Sequence, residues 1–220
     1  MRVFLIVGAL TLLAVVAVVT WLFAREPTPA EAVRIAAVLA PTSPPGEPPA
    51  YAHCASCHLH DGSGRPDGSI PRLNGQRKAV LQNKLFRLRV GLMRMPVMDP
   101  FARTLEPKEI SEISDYLAAL PETAVAPVEA IDEERAAGAS LYSKHCASCH
   151  GDNAEGHDGL FASRLCGQYP AYLARRLDEV ARKTRGDADA VMQGVLEGVP
   201  ADALGPIVKW LSAGGGCVAR

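Results

Sequence analysis

The pentapeptide Cys54-Ala55-Ser56-Cys57-His58 returns letter for letter as Cys146-Ala147-Ser148-Cys149-His150. Two cysteines separated by two residues, with a histidine directly after, suit covalent haem attachment. The thiols add across the vinyl groups as thioethers, and the histidine binds iron from the face they define. A lone C-x-x-C would serve equally as a redox dithiol or half a zinc site. A four-thiolate zinc knuckle would leave both histidines unexplained, and its inner spacing is normally about 15 to 20 residues. Two whole copies therefore predict two covalently bound haem c groups. Cys54, Cys57, Cys146 and Cys149 are the attachment thiols, and His58 and His150 are axial iron ligands.

The second copy also serves as a ruler. Cys54 to Cys146 is an offset of 92, and Leu73-Asn74-Gly75-Gln76 meets Leu165-Cys166-Gly167-Gln168 at the same offset. Beyond this point Met98 pairs with Met192, Leu105 with Val199 and Tyr116 with Trp210, all at 94. A single two-residue insertion reconciles the two offsets, so the halves read as tandem copies. Each copy is expected to be helical, giving an all-α chain. Pro107 suits a first helical turn, Ile110, Ile113, Leu117 and Leu120 follow helical spacing, and Pro121 ends the run. Counterpart helices are expected over 201–213, over 78–90 and over 171–182. A six-coordinate haem needs a ligand opposite histidine, and methionine there raises the potential. Met192 is the only methionine of the second copy, whereas Met93, Met95 and Met98 compete in the first. The register selects Met98. His53, His60, His145 and His157 lie too near the attachment side to reach the opposite haem face and are expected at the surface.

Residues 3–24 carry no charged side chain, and as a helix they would span about 33 Å, enough for a bilayer core. The segment reads as a transmembrane anchor, a cleaved signal peptide being the alternative. Seven prolines in 27–50 describe a stiff, extended linker. The expected layout is 1–26 anchor, 27–50 linker, 51–121 first haem domain, 122–132 linker and 133–220 second haem domain. Aromatic residues make up only 5% of the chain, thin for two small cores, and a haem supplies the missing apolar volume. A net charge of −1 gives no sign of nucleic-acid binding. Cys166 and Cys217 remain after the motifs, either as a disulfide in an oxidising compartment or as two unrelated small apolar residues. The stretch 72–94 holds seven basic residues and no acid, which would either steer a partner or line a solvated helix face and meet haem propionates.

Both C-x-x-C-H motifs, both L-x-G-Q segments, both late methionines and the helix after each resemble the dihaem class I cytochromes of the cytochrome c4 type, over about residues 44–213. The resemblance implies two tandem class I cytochrome c domains carrying electrons in the periplasm. The expected donor is a quinol-oxidising complex or a dehydrogenase, and the expected acceptor a haem-copper terminal oxidase; the anchor would sit in a bacterial inner membrane. With both irons filled by His and Met there is no substrate position, so the chain is expected to be an electron carrier rather than an enzyme. The alternative is the haem c subunit of a dehydrogenase complex (for sulfide, an alcohol or similar), or a dihaem oxidoreductase. Two departures from the family stand out. The first copy's lead-in helix is expected to be shortened or absent. The proline whose carbonyl meets the proximal imidazole is present as Pro71 but becomes Ser163, which is expected to separate the two potentials.

Overall fold

The computed structural model describes residues 28, 44–125, 129, 131–183 and 190–215. The chain divides into two compact units, Met1–Thr42 and Ser43–Arg220, and both motif copies lie in the second. The anchor expected over 3–24 lies outside the described residues, as does nearly all of 27–43. Among the described residues no helix is long and apolar enough to cross a membrane. The described residues are mostly helical and form no strand, only an isolated bridge between His157 and Ala162.

In the first repeat Pro48 is extended and Pro49 opens a 3-10 turn, Pro49–Tyr51, which runs directly into helix α1 (Ala52–His58). The proline-rich approach cannot donate the amide bonds of a longer helix, so the lead-in is as short as expected. Helices α2 (Lys78–Arg89), α3 (Asp99–Ala102) and α4 (Pro107–Ala119) follow. At the start of α4 proline occupies the first turn, and Glu106 and Glu109 form a reciprocal capping box. Its Ile110, Ile113 and Leu117 are buried against Tyr51, Ala55 and Leu81.

The second repeat opens on a full helix, α5 (Asp132–His145), followed by α6 (Ala147–His150), α7 (Pro170–Ala181), α8 (Ala190–Glu197), a 3-10 turn Ala201–Ala203 and α9 (Leu204–Ser212). Gly138 lets α5 press onto α9, since a Cβ there would stand 2.6 Å from Trp210 Cβ. One turn on, the Tyr142 and Trp210 rings lie 4.5 Å apart, as Tyr51 and Tyr116 do at 5.3 Å in the first repeat.

The loops after the two motifs match bond for bond. Gly64 and Gly156 donate to the His58 and His150 carbonyls at 3.0 and 2.8 Å, and Leu73 and Leu165 donate to the Gly62 and Ala154 carbonyls at 2.7 and 2.9 Å. The Tyr51 hydroxyl donates to Leu59 O and the Tyr142 hydroxyl to Gly151 O.

A reciprocal lock joins the repeats. Gln168 Oε1 accepts from Arg72 N at 3.0 Å while Gln168 Nε2 donates to Arg72 O at 2.9 Å. Gln76 Oε1 accepts from Arg164 N at 2.8 Å while Gln76 Nε2 donates to Arg164 O at 3.0 Å. Each glutamine amide thus pairs with one peptide of the other repeat, as a strand would. Around the lock, Arg77 forks onto Asp158 at 2.8 and 2.7 Å, Tyr169 donates to Ser63 O, and Arg175 donates to Gly68 O.

Candidate functional site

Each motif lies on a short helix that turns the following histidine inward. His58 is 6% exposed, and its Nδ1 stands 3.2 Å from the Pro71 carbonyl; His150 Nδ1 stands 2.8 Å from the Ser163 carbonyl. Such a carbonyl acceptor holds the proton on Nδ1 and leaves Nε2 as the basic nitrogen for a metal. Replacing proline by serine keeps the acceptor, because the contact is made by main chain. What serine adds is a hydroxyl that accepts from Lys84 Nζ of the first repeat at 2.8 Å. Burial holds both imidazoles below their usual range, the carbonyl contact opposing it in each, and Lys84 lowers His150 further.

The four motif cysteines are partly buried and take part in no disulfide. Burial pushes the Cys54 and Cys146 thiols up to about 11. Among the described residues no group of three or more His, Cys, Asp or Glu side chains could hold a metal ion.

The methionines fall into two environments. Met93, 6% exposed, is core with Leu88 and Ala102, and Met95 and Met98 pack against this cluster partly buried. Met98 stands directly before α3, where the Asp99 carboxylate accepts from Met95 N at 2.9 Å and from Arg94 at 3.0 Å, pinning the loop. Met192, on α8, packs partly buried against Val180, Leu196 and Val199. Among the other histidines His53 and His157 are exposed, but His60 is half-buried on Glu47 at 2.8 Å. His145 is also half-buried, its Nε2 without a hydrogen-bond partner. Both depart from the expected surface position, His60 because Glu47 of the approach segment binds it.

The basic stretch over 72–94 resolves mostly into packing. Arg72, Arg77 and Lys84 bind the second repeat and Lys78 pairs with Asp115. Arg72 and Arg164, both 5% exposed, converge on the one carboxylate of Glu122 at 3.5 and 2.9 Å. Two guanidiniums on one carboxylate leave surplus positive charge, and Arg164 Nε is buried without a partner. That surplus fits the propionates of bound haem. The lock residues escaped the sequence reading, although a signal was present: the match at offset 92 extends one residue earlier, as Arg-Leu-x-Gly-Gln in both copies. Cys166 is disulfide-bonded and 1% exposed; Cys217 lies outside the described residues.

Comparison with known proteins agrees with this geometry. Residues 133–211 match the family "Cytochrome C oxidase, cbb3-type, subunit III". The chain is 28% identical over 175 residues to the "Thiosulfate dehydrogenase electron acceptor" of Stutzerimonas stutzeri, covering 76% of each. It is also 28% identical over 175 residues to the "Cbb3-type cytochrome c oxidase subunit FixP" of a Bradyrhizobium strain, covering 74% of this chain and 58% of that one. Among solved structures, reduced cytochrome c4 from Pseudomonas stutzeri superposes with a TM-score of 0.62 at 21% identity, covering 74% of this chain and 94% of the other. The described residues thus share the fold of the dihaem cytochromes c4, the second repeat matches a cytochrome family over 133–211, and the two attachment motifs carry two covalently bound haem c groups.

Proposed function

We propose that the chain is a periplasmic dihaem electron carrier, held to the inner membrane by residues 1–26, that passes electrons between respiratory complexes and on to a haem-copper terminal oxidase. The observation that carries this is the doubling, within one compact unit, of a motif histidine whose Nδ1 is held by a backbone carbonyl. In this reading 51–121 and 133–220 are the two haem domains, joined by 122–132. Cys54, Cys57, Cys146 and Cys149 would form the thioethers, His58 and Met98 would hold the first iron, and His150 and Met192 the second. Haem c supplies a one-electron couple when bound. The chain's own contribution is to orient each imidazole through the Pro71 and Ser163 carbonyls, to offer a methionine that would bind each iron, and to hold the two domains in register through Gln76 and Gln168. No position is left for substrate, so transfer is outer-sphere.

A second reading, the electron-accepting subunit of a dehydrogenase, is favoured by the relative named as a thiosulfate dehydrogenase electron acceptor. Two measurements test the pair. Spectra of the full-length holoprotein should show two low-spin haems with slow cyanide binding, and Met192→Ala should open only the second haem and Met98→Ala only the first. A ligand-open haem in the unaltered protein refutes the carrier. Isolation of the intact membrane form separates partners: a bound oxidase supports the first reading, a bound dehydrogenase the second.

A further inference from the structure

We propose, resting on the reading of His58 and His150 as axial ligands, that Gln76 and Gln168 each set the electron donation of the histidine in the opposite repeat through a single peptide group. Pro71 O stands 3.2 Å from His58 Nδ1, and Arg72 N, the other end of the same peptide, donates to Gln168 Oε1 at 3.0 Å. The return connection has the same form. Ser163 O stands 2.8 Å from His150 Nδ1, and Arg164 N, the other end of that peptide, donates to Gln76 Oε1 at 2.8 Å. Each motif histidine is thus linked, across one peptide, to a glutamine from the other half of the chain.

The glutamines are held in this role by their own main chain. Gln76 Oε1 also accepts from Arg77 N and Gln168 Oε1 from Tyr169 N, both at 3.0 Å. The amide that follows each glutamine therefore fills one lone pair of its oxygen, and the second lone pair meets the opposite repeat. The two Nε2 atoms donate to the Arg164 and Arg72 carbonyls, which fixes the orientation, because a flipped amide would set N–H against N–H. A peptide whose N–H is bonded carries more negative charge on its oxygen, and each bond in such a chain strengthens its neighbour by roughly 10–30%. A stronger acceptor at Nδ1 makes the imidazole more basic, which favours oxidised iron. Gln168 therefore lowers the potential of the first haem and Gln76 that of the second.

Potentiometry of the full-length holoprotein, with the two haems followed separately, tests the crossing. Gln168→Leu should raise the potential of the first haem and leave the second, and Gln76→Leu should do the reverse. The expected change is about two- to fivefold in the redox equilibrium, roughly 20–40 mV at 59 mV per tenfold for one electron. A purely structural role predicts the opposite sign, since an opened interface admits water, which favours the more charged oxidised iron. Tyr169→Phe removes a neighbouring interface bond, to Ser63 O at 2.9 Å, without touching either peptide, and should leave both potentials in place. In the reduced protein the NMR signal of the His58 Nδ1 proton should move upfield in Gln168→Leu, and that of His150 in Gln76→Leu. Potentials that fall or stay, shift only at the haem of the substituted repeat, or shift as much in Tyr169→Phe overturn the proposal. Axial imidazole signals belonging to residues other than His58 and His150 overturn the ligand reading and the proposal with it. Those signals at His58 and His150 beside unmoved potentials overturn the proposal alone.

Discussion

Replacing Gln168 by leucine isolates the lock between the repeats. Gln168 is 7% exposed, and its amide satisfies both polar groups of the Arg72 peptide, the N–H at 3.0 Å and the carbonyl at 2.9 Å. Leucine matches the volume but leaves three buried main-chain groups unpaired, the Tyr169 N–H being the third, each at about 1–3 kcal/mol. Part of this is recovered because leucine is less costly to desolvate. The expected net loss is about 2–4 kcal/mol, which raises the opening of the interface by roughly 30- to 700-fold at tenfold per 1.4 kcal/mol. Hydrogen exchange at the Arg72 amide reads this directly, and denaturant unfolding followed at each haem gives the energy. Gln76→Leu should cost a similar amount, and the double variant less than the sum, because the second substitution acts on an interface already opened. Exchange at Arg72 unchanged in Gln168→Leu, with stability within about 0.5 kcal/mol of the parent, a typical neutral surface change, would refute the reasoning.

Glu122→Gln should destabilise the same interface by about 1–3 kcal/mol, below the usual cost of breaking a fully buried pair, because Glu122 keeps 20% exposure while Arg72 and Arg164 lose their shared carboxylate; thermal unfolding checks it, and the deficit should shrink on haem loading. Leu59→Gly should stabilise the first repeat by about 0.5–2 kcal/mol, measured by denaturant midpoint. Leu59 sits at φ 62 and ψ 160, a region close to glycine-only that costs about 1–3 kcal/mol, where the second repeat has Gly151 at φ 81. The Lys209 hydrogen bond holds the Glu134 carboxyl below its usual range. A depressed folded value stabilises above the unfolded pKa of about 4.3 and is lost as pH falls through the folded one. Acid titration should therefore loosen the α5–α9 contact below about pH 4, and Glu134→Gln should remove that part of the pH dependence; an unaltered acid transition in the variant counts against it.

The helix beginning at Pro107 was legible from sequence because it rests on local chemistry. Proline in a first turn and apolar residues at helical period act within a few residues. Ser163 shows where that reading stops. As a residue type it departs from Pro71, yet its carbonyl makes the same contact to His150 at 2.8 Å, since the bond belongs to the main chain and the loop fold. The run of basic residues over 72–94 was legible as charge and illegible as contact: Arg72, Arg77 and Lys84 reach partners between 79 and 94 residues away, and nothing local announces them.

Composition and spacing alone were enough to establish two haem attachment sites in tandem helical copies, because a covalent motif and an amphipathic period are properties of short segments. Tertiary packing decided how the copies are joined. Gln76 and Gln168 are ordinary polar residues until the opposite repeat brings an arginine peptide within hydrogen-bonding reach. Asn74 and Cys166 are likewise unremarkable until folding buries both and leaves one to satisfy an amide and the other to close a disulfide. Long-range pairing of this kind costs chain entropy that only the assembled core offsets, which is why it shows in the folded molecule and not in the order of its residues.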